Sequence, residues 1–263
     1  MNPNQQVLIT IATVTYNAEQ TLAPTLQSVA SQDYPRIEHL IIDGCSSDHT
    51  LSLIQRYVEH NTTQHSIRLM REPDEGLYDA MNKAIMQATG EYIVFLNAGD
   101  RLHSNDTISR LVESADLVRG DSSNPAILYG ETDLVDKDGN FLRHRRLRAP
   151  KHLTWRSFMS GMLVCHQSFY VRTDIARTEP YNLRYRFSAD YDWCIRLMKR
   201  AQRKRMQIHN TNLILTDYLS EGLTTRNHRR SLMERLHLMA HHYGWPTAIL
   251  QHLWFIPRAI IRR

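Results

Sequence analysis

Between Leu77 and Asp100 the hydrophobic period of the chain changes, and no other feature limits the possible folds as much. Leu77, Ala80, Met81, Ala84, Ile85 and Ala88 recur at helical spacing, an amphipathic stripe closed by Gly90. Tyr92 to Leu96 follows as a continuous apolar run, the pattern of a strand buried on both faces, and Asn97-Ala98-Gly99-Asp100 ends it. A helix feeding straight into a doubly buried strand is half of a crossover in a parallel sheet.

The segment before it repeats the theme. Val7 to Val14 reads as a buried strand. A helix carrying Leu22, Leu26 and Val29 follows, ending at Tyr34-Pro35. Glu38 to Asp43 is a second strand. The turn Gly44 to Asp48 leads into a helix with Leu51, Ile54 and Val58 inward, and Ile67 to Met70 is a third strand. Strands and helices in this order imply a doubly wound α/β sheet with right-handed crossovers, Rossmann-like and mostly parallel.

Ligands of such sheets bind outside the carboxyl ends of the strands. Thr13 to Asn17, Asp43 to Asp48, the 72–76 loop and Asp100 converge on that edge. Beyond Asp100 the pattern loosens. A hairpin is expected to turn at Asp136 to Gly139, between Ile127–Tyr129 and Phe141. Gly161 to Val171 reads as a loop and a strand with His166-Gln167 at its start. A helix entered through Ser188-Ala189-Asp190 carries Tyr191, Cys194, Ile195, Met198 and Ala201.

Composition narrows the class. The 263 residues, 42% apolar and 22% charged, suit one core with a small addition, and no stretch approaches the roughly 20 apolar residues of a spanning helix. Cys45, Cys165 and Cys194 are odd in number and widely spaced, which suggests neither disulfides nor zinc and fits a reducing, cytoplasmic setting. The N-terminus carries no basic region of the kind that opens a signal peptide.

The net charge of +5 suits a nucleic acid, a membrane or an anionic substrate. No nucleic-acid-binding signature accompanies it, so no nucleic-acid partner is expected. Basic runs lie at Arg143 to Arg148 and Lys199 to Arg205. From His228 a helix runs to Gly244-Trp245-Pro246. The last stretch combines Leu250, Leu253, Trp254, Phe255, Ile256, Ile260 and Ile261 with Arg258, Arg262 and Arg263, the pattern of an interfacial helix on anionic lipid.

Three needs of nucleotide-sugar chemistry have candidates: a base pocket, a cation for the diphosphate and a proton acceptor. Asp43 and the Thr13 to Asn17 loop can hydrogen-bond a nucleobase and ribose. Asp100 can hold Mg²⁺ or Mn²⁺, which need few protein carboxylates when the substrate supplies oxygens. Asp190, opening a helix, can act as general base. Taken singly, Asp43, Asp48 and Asp190 also read as caps or turn formers, His166 as a structural or exposed histidine, and Asp79 as a solvated acid. The residues alone carry the reading to an α/β enzyme for a phosphate ligand.

Taken together, IATVTYNAEQTL, IIDGCSSDHT, EPDEGLYDAMNKAI and GEYIVFLNAGD resemble the inverting family 2 glycosyltransferases of GT-A fold, over roughly residues 7–225. The third and fourth pieces are similar to bacterial polysaccharide-assembly members, such as those of colanic acid synthesis. The resemblance implies that Thr13, Tyr16, Asn17 and Asp43 line the nucleotide site, with Asp79, Asn82 and Asn97 nearby. It makes Asp100 the last acid of the metal-binding D-x-D region and Asp190 the acid of the catalytic E-D pair. His166 and Gln167, in HQSFYV, fall on the acceptor or diphosphate side.

Two departures stand out. The metal region reads Asn97-Ala98-Gly99-Asp100 with one acid, and the E-D pair reads Ala189-Asp190. The family's processive members tend to carry Q-x-x-R-W and a run of spanning helices; neither is found here.

The expectation is therefore a GT-A domain over 1–225, with a nucleotide-binding half (1–105) and an acceptor-side half (106–225), and a basic amphipathic helical tail over 226–263. It is expected to move one sugar from a nucleotide-diphosphate donor, a UDP-sugar foremost, to a lipid-linked saccharide at the inner face of the cytoplasmic membrane, using Mn²⁺ or Mg²⁺. Three alternatives stay open. A degenerate transferase would bind without turnover. A sugar nucleotidyltransferase would want a glycine-rich, lysine-bearing loop where TVTYNAEQT stands. A basic nucleic-acid or membrane-binding module would need only the charge.

Overall fold

The computed structural model describes residues 6–220 and 228–260. Strands β1 (Ile9–Thr15), β2 (Ile37–Asp43), β3 (Ser66–Arg71) and β4 (Tyr92–Phe95) alternate with helices α1 (Leu22–Ala30), α2 (Thr50–Glu59) and α3 (Leu77–Gln87). The four strands pair in parallel in the order β3-β2-β1-β4. Every residue of β1 and β2 is buried, because alternate side chains meet helices on opposite faces of the sheet. Ala12, Val14, Leu40 and Ile42 pack with Met81, Ala84 and Ile85 of the α3 stripe. On the other face Ile41 packs with Leu22, Leu26 and Ile54 of α1 and α2.

Beyond β4 the sheet becomes mixed. β8 (Phe169–Arg172) runs antiparallel to β4, and β6 (Ile127–Val135) antiparallel to β8. β9 (Ile208–Leu219) lies parallel to β6, and the short β5 (Arg101–Leu102) pairs antiparallel with β9 to complete the path. β7 (Phe141–His144) folds back on β6 through the turn foreseen at Asp136 to Gly139. Helices α4 (Thr107–Ser114), the single turn α5 (Thr173–Ala176) and α6 (Ala189–Arg203) accompany these strands. The parallel expectation thus describes the first four strands, and a mixed α/β sheet describes the whole.

Trp193 of α6 seals the junction of the two halves. It stacks on Tyr181 at 4.5 Å and meets Phe95 of β4 edge-on at 5.8 Å. The three cysteines are free.

The C-terminal segment divides in two. Helix α7 (His228–Tyr243) belongs to the core: Leu238 and Met239 are fully buried, Tyr243 stacks on Trp155, and His242 Nε2 lies 2.7 Å from Asp192 Oδ1. Helix α8 (Trp245–Ile260) buries Ala248 but leaves Trp245, Ile249, Leu250 and Leu253 exposed. No helix among the described residues is long and apolar enough to cross a membrane.

Candidate active site

Asn97 to Asp100 forms a tight turn at the carboxyl end of β4, with Asp100 N donating to Asn97 O at 2.9 Å. Thr25 of α1 clamps it: its hydroxyl donates to Asp100 O at 2.8 Å and accepts from Gly99 N at 2.9 Å. Gly99 sits at φ +106°, and a Cβ there would meet the Leu219 side chain at 2.7 Å, so glycine is required twice over. The turn delivers the Asp100 carboxylate into a buried place, 4% exposed. Gln167 Nε2 donates to it at 2.9 Å and Leu219 N at 3.0 Å.

Burial raises the Asp100 carboxyl to a pKa of about 6, against the smaller lowering effects of Leu219 N–H, Gln167 and His166. Its hydrogen-bond donors are neutral. Next to it, Asn97 turns Nδ2 toward His166 Nε2 at 3.4 Å, and its buried Oδ1 has no hydrogen-bond partner among the described residues. A carboxylate and an orphaned amide oxygen are the donors that Mg²⁺ and Mn²⁺ prefer, so the residues present fit a divalent cation.

Asp190 opens α6 and is held differently. Its Oδ2 lies 3.3 Å from His166 Nδ1, while Oδ1 accepts from Tyr191 N at 2.9 Å and from the Tyr78 hydroxyl at 3.2 Å. Burial raises its carboxyl, but the His166 hydrogen bond and charge, Arg235 and Tyr191 N–H outweigh that and leave the pKa lowered. One proton arrangement satisfies both contacts of His166: Nδ1–H donates to Asp190, and Nε2 accepts from Asn97. His166 and Gln167, in a 3₁₀ turn before β8, therefore connect the two acids through adjacent residues.

The edge at the carboxyl ends of β1 and β2 is built from loops that bind each other. Asp43, fully buried at the end of β2, accepts from Thr15 Oγ1 at 3.1 Å and from Ser46 N at 3.0 Å, with Arg71 Nε at 3.6 Å. Asn17, at φ 49°, accepts from Ser47 N at 2.9 Å, and its own N–H donates to Ser46 Oγ at 2.9 Å. Tyr16 stands between them, 66% exposed. Asp74 of the 72–76 loop closes on the same spot: a Cβ on Gly44 would lie 2.3 Å from Asp74 Oδ2 and 3.5 Å from Tyr16 Cδ2.

Three other expected residues are tied into the protein itself. Thr13 is fully buried with Oγ1 3.0 Å from His39 Nε2, and Thr15, two residues on, occupies the edge instead. Asn82 exchanges hydrogen bonds with the Tyr181 backbone at 3.0 and 2.7 Å, tying α3 to the acceptor-side half. Asp79 accepts from Glu75 N at 3.1 Å and lies 3.5 Å from Lys83 Nζ, at the start of its own helix.

Other residues of the site gave no signal that sequence reasoning used. Asp74 was one acid in an acidic loop. Tyr78 was part of a helix, although its hydroxyl reaches Asp190. Arg235 lay in the supposed tail, yet it acts on Asp190 and covers the Tyr191 ring at 5.6 Å. Leu219 contributes a backbone N–H, which no side-chain pattern reveals.

Comparison with known proteins gives the family and the fold. The model of glycosyl transferase family 2 matches residues 10–179. A PGL/p-HBAD biosynthesis glycosyltransferase of Mycobacterium tuberculosis is 32% identical over 72% of this chain and 69% of its own length. TuaG of Bacillus subtilis, assigned to teichuronic acid biosynthesis, is 27% identical over 70% of this chain and 69% of its own. Among solved structures, Staphylococcus aureus TarS bound to UDP superposes with a TM-score of 0.63 at 17% identity, over 87% of this chain and 65% of that one. The mannosyltransferase PcManGT of Pyrobaculum calidifontis, bound to GDP-Man and Mn²⁺, superposes with a TM-score of 0.58 at 18% identity, over 95% of this chain and 75% of that one. These likenesses identify the fold as that of GT-A glycosyltransferases.

Proposed function

The chain belongs to glycosyl transferase family 2, and from that premise we propose that it is an inverting, non-processive enzyme of cell-surface glycan biosynthesis, transferring one sugar from a nucleotide-diphosphate donor to a saccharide hydroxyl. The observation that carries this reading is the Asp100-Gln167/His166-Asp190 connection, which holds a cation-type site and a base-type site side by side.

Tyr16, exposed above the Asp43-Ser46-Asn17 knot, offers a ring face for the nucleobase, and Asp74 adds a polar contact beside it. The sugar diphosphate would extend from there toward Asn97 and Asp100. These two residues would hold Mn²⁺ or Mg²⁺, which when bound neutralises charge on the departing nucleoside diphosphate.

Asp190, kept ionised at neutral pH, accepts the acceptor's hydroxyl proton as that oxygen bonds to the anomeric carbon. The bond to the diphosphate breaks in the same displacement, and the configuration inverts. His166 holds the Asp190 carboxylate in place through Nδ1–H.

UDP-bound TarS, and a further TarS structure with UDP-GlcNAc, support a UDP-sugar as donor. Glycan-biosynthesis relatives support a lipid-linked acceptor, met at the inner face of the cytoplasmic membrane. The exposed Trp245, Ile249, Leu250 and Leu253 suit contact with that surface. Of the remaining residues expected to join them, Ile261, Arg262 and Arg263 lie outside the described residues, as do the side chains of Trp254, Phe255, Ile256, Arg258 and Ile260.

The deciding experiment is calorimetric binding of UDP and GDP to the purified chain, with Mn²⁺ and with EDTA, alongside Asp100→Ala. Metal-dependent binding of one nucleotide, lost in the variant, is the expected result. No binding under any condition would overturn the reading. For the membrane contact, deletion of residues 247–263 should abolish co-sedimentation with anionic vesicles.

A further inference from the structure

On the opposite face of the sheet four side chains meet that the transfer reaction does not use. His103 follows β5, Asp217 lies on β9, Asp133 on β6 and His144 on β7. The strands are neighbours, and the register sets Asp133 opposite both Asp217 and His144. One donor atom each of His103, Asp133 and Asp217 falls within 4.8 Å of the others. His103 Nδ1 lies 2.7 Å from Asp217 Oδ1, and His144 Nδ1 lies 2.7 Å from Asp133 Oδ1.

This cluster is separate from the Asp100 site. Successive strand residues point to opposite faces. Thr132 and Thr216 direct their hydroxyls to Ser168 Oγ at 2.8 Å and Gln167 O at 2.7 Å, on the side of Asp100. Asp133 and Asp217, one residue further along each strand, face away.

The charge balance is unusual. Two carboxylates stand directly across from each other, an arrangement that destabilises a sheet unless it is neutralised. The Asp133 side chain is only 4% exposed, yet the ion pairs that these two acids make among the described residues are with histidines, not with lysine or arginine. Two imidazoles and two carboxylates form a neutral complex with a dication.

We propose that His103, Asp133, Asp217 and His144 form a zinc site that fastens the β6–β7 hairpin and β5 to β9. The mixed nitrogen and oxygen donors favour Zn²⁺, whereas Mg²⁺ and Mn²⁺ favour the oxygens of Asp100 and Asn97. Tetrahedral ligands about 2.0–2.1 Å from zinc stand about 3.3 Å apart, so rotamer adjustments of roughly 1–2 Å would close the spread of His103, Asp133 and Asp217, and His144 would complete the set by a larger swing from its place beside Asp133. The metal takes the place of the protons now shared between each histidine and its aspartate. Asp217 lies two residues before Leu219, whose N–H supports Asp100, so zinc would also stiffen the strand behind the donor edge.

The test uses the full chain carrying Asp100→Ala, freed of metal by chelation and dialysis, so that the donor-side cation site is removed. Titration with Zn²⁺ should saturate at one equivalent per chain and raise Tm, and excess Mg²⁺ should not compete. Co²⁺ substituted there should give a tetrahedral visible spectrum. His103→Ala and Asp217→Asn should each weaken binding about tenfold or more. His144→Ala, at a side chain 58% exposed and therefore safe for folding, should do the same. Absence of saturable Zn²⁺ binding would overturn the proposal. So would binding unchanged in the His103→Ala/His144→Ala double variant, since that would assign the zinc to others of the 14 histidines.

Discussion

The two ends of the candidate active site hold the same side chain in opposite electrostatic states. Asp100, at the donor edge, accepts from an amide and a backbone N–H, and burial raises its pKa to about 6. Asp190, at the acceptor side, is also surrounded by protein, yet His166 and Arg235 help bring its pKa below the ordinary value. The first carboxylate has no ion pair with lysine or arginine among the described residues, and the charge effect of His166 on it is outweighed by burial, so it is suited to receive a cation. The second is already compensated and remains ionised, ready for a proton.

The largest expected effect lies on the compensated side. Asp190→Asn should lower kcat by about 10²–10⁴-fold, the usual contribution of a positioned base, while nucleotide affinity and folding persist. Turnover equal to wild type in a folded variant would break the distinction between the two acids.

The donor side should respond in the reverse sense. Asp100 has a folded-state pKa above its unfolded value of 3.8, so the native state holds the extra proton between about pH 4 and 6, and stability falls as pH rises through that window. Asp100→Asn removes this loss. Its Oδ1 can still accept from Leu219 N, and Gln167 can turn its amide to match. The variant should be more stable than wild type by up to about 3 kcal/mol above pH 6, at 1.36 kcal/mol per unit, and no more stable below pH 4. It should also lose metal-dependent nucleotide binding, a direct trade of function for stability. Thermal denaturation across pH 4–8 checks the first part; a variant destabilised at pH 7 would show that the carboxylate is compensated after all.

A smaller effect falls on the residue between them. His166→Ala should reduce kcat about tenfold and move the acid limb of the kcat/KM profile to higher pH, since Asp190 loses a lowering influence. His166→Asn, which keeps a donor near Nδ1, should recover part of both. An unshifted limb would confine His166 to a packing role.

The donor half was legible because each of its elements is periodic and local. Burial on both faces writes continuous apolar runs, and α3 writes its stripe. Positions at the edge were read from strand ends and motif pieces, which is why Asp43 and Asp100 were named, and Thr13 rather than Thr15: the apolar run does not mark its last inward residue. β9 escaped notice because it is mostly half-buried and its polar and apolar residues come in blocks, His209 to Asn212 and then Leu213 to Leu215, instead of the alternation that marks a strand. Its pairing with β6 also shifts register near Asn212, which lies at φ 55°. Arg235 and Leu219 act across large sequence separations, and one sequence carries no sign of such contacts.

The smallest expected effect asks whether α7 belongs to the acceptor side or is merely attached to it. Glu234 accepts from Arg186 N at 3.0 Å and Phe187 N at 2.8 Å, just before the start of α6 that carries Asp190. Glu234→Ala leaves both N–H groups without that partner. The cost should be about 1–3 kcal/mol, nearer the lower figure because the Arg186 side of the contact is open to water. Arg235 and Ser231 hang from the same helix, so loosening it should weaken the lowering of the Asp190 pKa and reduce kcat severalfold. UDP affinity, set at the far edge of the sheet, should stay as in wild type. A lower Tm with reduced kcat and unchanged nucleotide binding would place α7 in the acceptor half. Unchanged stability and turnover would return it to the status of a tail.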